Sequence, residues 1–467
     1  MKNITMNNPF HFLRQTVLAT PRLTIDITKN VALVGFVLLD LFFLAYYASA
    51  FYPGYLTSDS LYMLSQGVGN QQLTNWHPPL ITKIWGILHS LFQSAGGIWI
   101  LQISLFILAN HLFCATLTNK TVALACLFSI LSWPPLFTNM AAVWKDNWAI
   151  TFALFCASFA FRAIKFGSPL NAFISGLFSI LASLTRIDYL VITLPMTFGA
   201  FIFSNNREKG ENLHRPAGLK GFIVCLVIYV GCAIYVGSWV EKRLNPWVNI
   251  AVWDIAGVLK HSGSKDALPG YNCATSDPLV FGQSRLFTIN LPQGAELNSR
   301  NEEAKMIRQA WLEAIVNHPI AYIYHRLCVA KVFLGFEEKL HYPYPAPFFY
   351  ETPLTQHAER SNLNIDLYWF FDANADGMMF RYFWYLTLSV LIIGIACLAR
   401  SLEPVQFLLF VSVFMSAMRF MILPAADFRY GLWIIVGSIT LAAIFIDELV
   451  LKFCKCSASP ETEHLPS

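Results

Sequence analysis

A small set of ionisable residues stands at the edges of long apolar runs: Asp59 and Lys83, then the couples Lys145/Asp146, Arg186/Asp188 and Asp427/Arg429. Arginine and lysine grip phosphate oxygens through charge-assisted hydrogen bonds, and such clamps stabilise charge that develops on a leaving group. A carboxylate in the same place takes a proton from an attacking hydroxyl, which is general-base work. Charged groups at a membrane edge are costly to desolvate and carry a functional expectation for that reason. The chemistry that suits this set is group transfer from a lipid phosphate. Read alone, each Lys–Asp or Arg–Asp couple is equally well a local ion pair that fixes a span end. That reading does not cover Asp59, which has no cation within four residues, or Lys83, which has no acid nearby.

The stretch Tyr55–Lys83 organises the rest. It follows directly on an apolar run at 31–51 and holds Asp59, Trp76, His77-Pro78-Pro79 and Lys83. Tyr55, Tyr62 and Trp76 are amphipathic rings of the kind that lie at headgroup level. His77 reads first as a structural residue, packing the turn that the two prolines impose.

Composition sets the class. Of 467 residues, 56% are hydrophobic and 13% charged, against roughly 25% charged in a soluble domain. The expectation is an all-α polytopic membrane protein. A net charge of +4 is too small to suggest a nucleic-acid partner. Cys114, Cys126, Cys156, Cys225, Cys232 and Cys397 lie in apolar runs and read as small hydrophobes. Cys273 and Cys328 fall in a polar loop and can pair if it faces an oxidising compartment. Cys454 and Cys456 carry only a weak lipidation signal. No cysteine spacing suggests a zinc site. The run at 31–51 has no small-residue cleavage site and reads as a retained anchor.

The elements that must position these charges follow from hydropathy and flanking basic residues. Residues 1–30 carry Lys2, Arg14, Arg22 and Lys29 against Asp26 and read as a cytoplasmic N-terminus. A transmembrane core at 31–240 has about seven spans: 31–51, 98–117, 121–141, 147–164, 169–184, 187–204 and 219–240. Its first outer loop, 52–97, includes an interfacial helix at 80–93, which is short of the ~20 residues a span needs. Lys120, Arg162, Lys165, Arg207, Lys209, Arg215 and Lys220 fall on the side of the N-terminus. A large, polar outer loop at 241–381 contains one helix over 302–336, with His325, Arg326 and Lys331, placed along the surface; a crossing at 312–336 is the alternative, and it would move everything after it to the other side. Three last spans (382–399, 404–424 and 428–446, within 382–447) lead to a cytoplasmic tail at 448–467. Ten spans put both termini inside and the acids and cations above on the outer face. No internal repeat is evident.

The chain resembles the GT-C superfamily of membrane glycosyltransferases, which use polyprenyl- or dolichyl-phosphate sugars. The residues that carry the resemblance are Thr57-Ser58-Asp59-Ser60 after the first span, then Trp76-His77-Pro78-Pro79-Leu80. They continue with the run from Val143 to Phe155 opened by Lys145-Asp146, Arg186-Ile187-Asp188, and Asp427-Phe428-Arg429-Tyr430. The resemblance implies Asp59 as catalytic base and Lys83 as a ligand of the donor phosphate, the role of the matching residue in aminoarabinose-transferase-like members. Lys145, Arg186 and Arg429 are further candidates for the phosphate. Asp146 and Asp188 are candidates for a second acid, an acceptor contact or a metal ligand, and Trp76 and His77 for the substrate loop. The donor implied is an undecaprenyl-phosphate hexose and the acceptor a lipid-linked glycan such as O-antigen or lipopolysaccharide, at the periplasmic face of a bacterial inner membrane. A divalent metal is allowed but not required.

Two departures stand out. Asp59 is flanked by serines where many relatives have two adjacent acids, and the polar mass is an internal loop where many have a C-terminal domain. Both point away from the protein-mannosylating branch, and the internal loop is shared with some bacterial O-antigen-modifying relatives. The competing expectation from another class is a transporter or flippase that uses the same charges as a pathway. Such proteins more often show internal repeats and mid-membrane polar groups. A non-catalytic scaffold is a third reading, in which Asp59 is dispensable. The ring-rich loop (Tyr342, Tyr344, Phe348, Phe349, Tyr350, Trp369, Phe370, Phe371) suits sugar stacking, a membrane surface or core packing.

Overall fold

The computed structural model describes residues 10–204, 215–265, 271–275, 301–337, 340 and 361–458. Its regular elements are all helical. The first ten are α1 (Phe10–Phe51), α2 (Ser58–Gly67), α3 (Pro79–Phe92), α4 (Ala95–Thr116), α5 (Lys120–Ser132), α6 (Pro134–Asn139), α7 (Lys145–Phe166), α8 (Pro169–Thr185), α9 (Tyr189–Ser204) and α10 (Arg215–Gly237). Then come α11 (Trp247–His261), α12 (Asn301–Asn317), α13 (Pro319–Phe333), α14 (Asn362–Asn374), α15 (Tyr382–Leu398), α16 (Pro404–Ala417) and α17 (Leu432–Ala458), with 3-10 turns at Met378–Phe380, Met418–Met421 and Phe428–Gly431.

Among the described residues, six helices are long and apolar enough to cross a membrane: Val31–Phe51, Ala95–Thr116, Lys145–Phe166, Gly218–Gly237, Pro404–Met421 and Phe428–Cys454. Four others (α5, α8, α9 and α15) are apolar but shorter. In the first and fourth of the six, only 17% and 11% of the most apolar window is buried inside the protein. Surfaces that apolar require lipid rather than water around them, so the chain is an all-helical membrane protein.

The expected span at 121–141 is interrupted. α5 stops at Ser132 because Pro134 and Pro135 follow, and Trp133 takes an extended conformation before them. The helix expected over 302–336 is likewise two helices, broken where Pro319 opens α13. Inside the polar segment 241–381, α11 and α13 pack against each other around Asp254, which is fully buried. His325 Nε2 and Arg326 Nη2 lie 3.0 and 2.7 Å from Asp254 Oδ1, and Trp311 Nε1 donates to Asp254 Oδ2 at 2.8 Å. His325 and Arg326 thus face inward, because an acid from another helix awaits them. Tyr342 to Tyr350 lie outside the described residues; Trp369 and Phe370 are exposed on α14 and Phe371 is buried.

α7 lies at the centre, packed on α4, α8 and α9. One end of the bundle gathers the C-terminus of α1, the N-termini of α4, α7 and α9, and the 418–431 turns. There Tyr55 pairs with the 141–143 strand-like turn (Tyr55 N to Ala141 O 2.8 Å, Val143 N to Tyr55 O 2.9 Å). At the opposite end the Asp447 carboxylate accepts from the Thr118 and Asn119 amides at 2.9 and 2.6 Å, closing the α4–α5 turn.

Candidate functional site

Asp59 sits in the first turn of α2, and its neighbours fix it in place. Thr57 caps the helix in a reciprocal box with Ser60. The Ser60 hydroxyl donates to Val143 O at 2.6 Å, and Trp144 Nε1 donates to Thr57 Oγ1 at 2.9 Å. These bonds join the start of α2 to the start of α7, so Asp59 is held beside Lys145.

α2 is in turn held by α3. A Cβ on Gly67 would lie 2.4 Å from Thr82 O, and one on Gly86 would lie 2.0 Å from Gly67 O. The two helices touch backbone to backbone, an approach that only glycine permits. α3 begins at Pro79, directly after His77, and the ring of His77 is buried in the angle between the two helices and α7. Lys145 Nζ lies 2.7 Å from His77 Nδ1, and Tyr62 meets the imidazole edge to face at 5.5 Å.

The remaining charges come from distant parts of the chain. Arg429 Nη1 is 3.1 Å from Asp59 Oδ2, and its Nη2 is 3.4 Å from Asp427 Oδ2. Its guanidinium lies over Trp144 at 4.9 Å and Tyr430 at 5.2 Å. Arg186 ends α8 and donates to Asp146 through Nη1 and to both oxygens of Asp188 at 2.9 and 3.2 Å. It stacks on Tyr430 at 4.4 Å. Arg419, on the turn after α16, binds the other side of Asp188 at 2.7 Å.

The outcome is one continuous cluster built from five chain segments. Asp59, His77, Lys145, Asp146, Arg186, Asp188 and Arg429 all enter it. Lys83 does not: it is half-buried on α3 and makes no ion pair among the described residues. Trp76 lies beside the cluster in the chain and donates its amide to Thr74 Oγ1 at 3.3 Å. Arg419 was not singled out from the sequence because it falls inside an expected span, 404–424. The shared ring Tyr430 and the lid of Trp144 were also missed; each is adjacent in sequence to a charged residue already noted.

Electrostatics follow from the packing. Burial alone pushes the Asp59 carboxyl up, but Arg429 and Lys145 overcome it and hold the group well below the usual carboxylate range. Burial and the Lys145 ammonium drive His77 well below its ordinary value, so the imidazole is neutral at pH 7. Asp188 is raised by burial and lowered further by Arg186 and Arg419, and stays ionised.

Asp146 Oδ2 and Arg429 Nε have no hydrogen-bond partner among the described residues. Buried polar atoms are nearly always satisfied, so this acceptor and this donor are the atoms of the cluster to which a ligand offering both would bond. The donor set does not suit a divalent metal: Asp59, Asp146 and Asp188 are each already bonded to a guanidinium. Ligand atoms of His261, Cys273 and Cys328 also lie close together, but the two cysteines are joined as a disulfide.

A second ionisable pair lies inside the spans. Asp40 Oδ2 and His111 Nδ1 are 2.5 Å apart between α1 and α4, each about a fifth exposed. Asp40 is eleven residues from the end of α1, about 16 Å at 1.5 Å per residue, which separates this clasp from the cluster.

Comparison with protein-family models, with curated proteins and with solved structures finds no match to this chain in any of the three.

Proposed function

We propose that the chain is a GT-C-type membrane glycosyltransferase with ten crossings. In this reading the cluster end faces the periplasm and both termini face the cytoplasm of a bacterial inner membrane. It transfers a hexose, glucose in the first instance, from undecaprenyl phosphate to a hydroxyl of a lipid-linked glycan such as O-antigen or lipopolysaccharide. The observation that carries the reading is the cluster itself: an acid with partial solvent access beside cations drawn from three other segments, with an open donor on Arg429 and an open acceptor on Asp146. The Cys273–Cys328 disulfide belongs to the same end of the bundle, which supports an oxidising compartment there.

In the proposed reaction Asp59 takes the proton of the acceptor hydroxyl. The acceptor oxygen attacks the anomeric carbon from the face opposite the phosphate, a new glycosidic bond forms, and the bond from that carbon to the phosphate oxygen breaks. Undecaprenyl phosphate leaves with the electron pair, its charge held by Arg429 and Lys145, and the configuration inverts. Neutral His77 accepts from the Lys145 ammonium and keeps it directed at the site. Arg186 and Arg419, both committed to Asp188, act as the frame. Lys83, on α3 and outside the cluster, has a place at the donor phosphate only through the resemblance.

The transporter reading gains one observation, the Asp40–His111 pair inside the spans. It lies between α1 and α4, about three helical turns along α1 from the end of the bundle that holds the cluster. The test is direct: proteoliposomes carrying the protein, radiolabelled undecaprenyl-phosphate glucose and native lipopolysaccharide. Label moving into the lipopolysaccharide supports the transferase. Movement of the labelled lipid between leaflets without transfer supports the flippase.

A further inference from the structure

The charges of the cluster cancel. Lys145, Arg186, Arg419 and Arg429 stand against Asp59, Asp146, Asp188 and Asp427, four of each, and His77 adds none. A site with no net charge is a poor receptacle for a phosphate unless one carboxylate gives way. The four acids differ sharply in how easily they can do so. Asp146, Asp188 and Asp427 have side chains 2%, 8% and 12% exposed, whereas Asp59 is 33% exposed. Asp188 is gripped by two guanidiniums at 2.7–3.2 Å. Asp59 is bonded to one, at 3.1 Å. It stands in the first turn of α2 and is the acid of the four with the most access to solvent.

We propose that Asp59 occupies the phosphate position on Arg429 in the unliganded protein, and that the donor phosphate displaces it. Displacement then does two things. It gives Arg429 its proper ligand, with Nε completing a two-pronged grip on the phosphate, and it releases Asp59 from the guanidinium that makes it a weak base. A carboxylate freed from a cation is a better proton acceptor. The base is therefore switched on only when a donor is in place, and donor binds before acceptor is activated. When undecaprenyl phosphate departs, Asp59 gives its proton to solvent and closes on Arg429 again.

This inference rests on the glycosyltransferase reading, and the experiment separates the two. The probe is undecaprenyl phosphate without sugar, titrated against purified protein in nanodiscs, with undecaprenol as the uncharged control. Asp59→Asn removes the competing charge while keeping its shape. Binding of undecaprenyl phosphate is expected to tighten roughly three- to tenfold in Asp59→Asn, with undecaprenol binding unchanged. Asp366→Asn, on the exposed side of α14, makes the same charge change elsewhere and is expected to leave both affinities as they are. Equal or weaker phosphate binding in Asp59→Asn overturns the displacement, as does equal tightening in Asp366→Asn. If undecaprenyl phosphate does not bind the wild type above undecaprenol, the donor reading itself fails and the displacement with it.

Discussion

At the scale of single residues, Asp59 in the first turn of α2 and Arg419 on the turn after α16 carry different burdens. Asp59→Asn should lower transfer by about 10²–10⁴, the usual contribution of general acid–base catalysis. Its effect on stability should stay within about 1 kcal/mol, because the carboxylate is a third exposed and makes one ion pair. Arg419→Met should do the reverse of this. It strips one of two cations from buried Asp188, and breaking such a pair costs about 3–5 kcal/mol, which thermal unfolding in detergent would register. His77 gives a pH signature. Its folded value is depressed, so the unfolded chain binds the extra proton, and the stability His77 contributes is present above about pH 6.5 and lost as pH falls below it. Asp59 is depressed as well, and its contribution is lost only below about pH 4. Melting curves between pH 7.5 and 5 should therefore fall in the wild type and fall less in His77→Gln. Most of these residues could be picked out of the sequence because a charge beside an apolar run is conspicuous. Arg419 could not, since what explains it is Asp188, 231 positions away.

At the scale of elements, the site depends on parts that do not touch it. The turn that carries Arg419 is held by Arg326, whose Nη1 donates to Phe420 O and Leu423 O, both at 3.1 Å. The next few residues are tied to the segment after α11 by Ala426 N to Ala274 O at 2.6 Å. That segment is fastened to α13 by the Cys273–Cys328 disulfide. The polar insertion thus serves as a brace for the 418–429 segment. Replacing both cysteines by serine should destabilise the protein by about 2–4 kcal/mol and reduce transfer without altering any charge in the cluster; unchanged transfer would refute the brace. Gly67→Ala should also act at a distance, because its Cβ would meet the backbone of α3 and push α2, with Asp59, away from α7. The sequence foretold the helices wherever an apolar run was long. It did not foretell the break at Trp133 to Pro134 or the inward turn of His325 and Arg326. The first was masked by hydropathy averaged across two prolines, and the second needed Asp254 from a stretch that reads only as part of the large polar loop.

At the scale of the whole molecule, the proposal has a definite sidedness, set by the basic residues near the opposite end (Lys120, Arg162, Lys165) and by the disulfide near the cluster. A membrane-impermeant maleimide applied to intact cells should label Asn70→Cys, in the exposed turn after α2, and should not label Cys454 near the end of α17 until the membrane is opened. The opposite pattern would place the cluster in the cytoplasm. The central claim, that the cluster transfers a sugar from a lipid phosphate with Asp59 as its base, is tested most directly by comparing wild type and Asp59→Asn in proteoliposomes. The donor is labelled undecaprenyl-phosphate glucose, the acceptor native lipopolysaccharide, and insertion of the two proteins is matched. Transfer by the wild type that is lost in the variant is the predicted result. Undiminished transfer by Asp59→Asn would contradict it and leave the proton to another acid, with the open oxygen of Asp146 the next to examine.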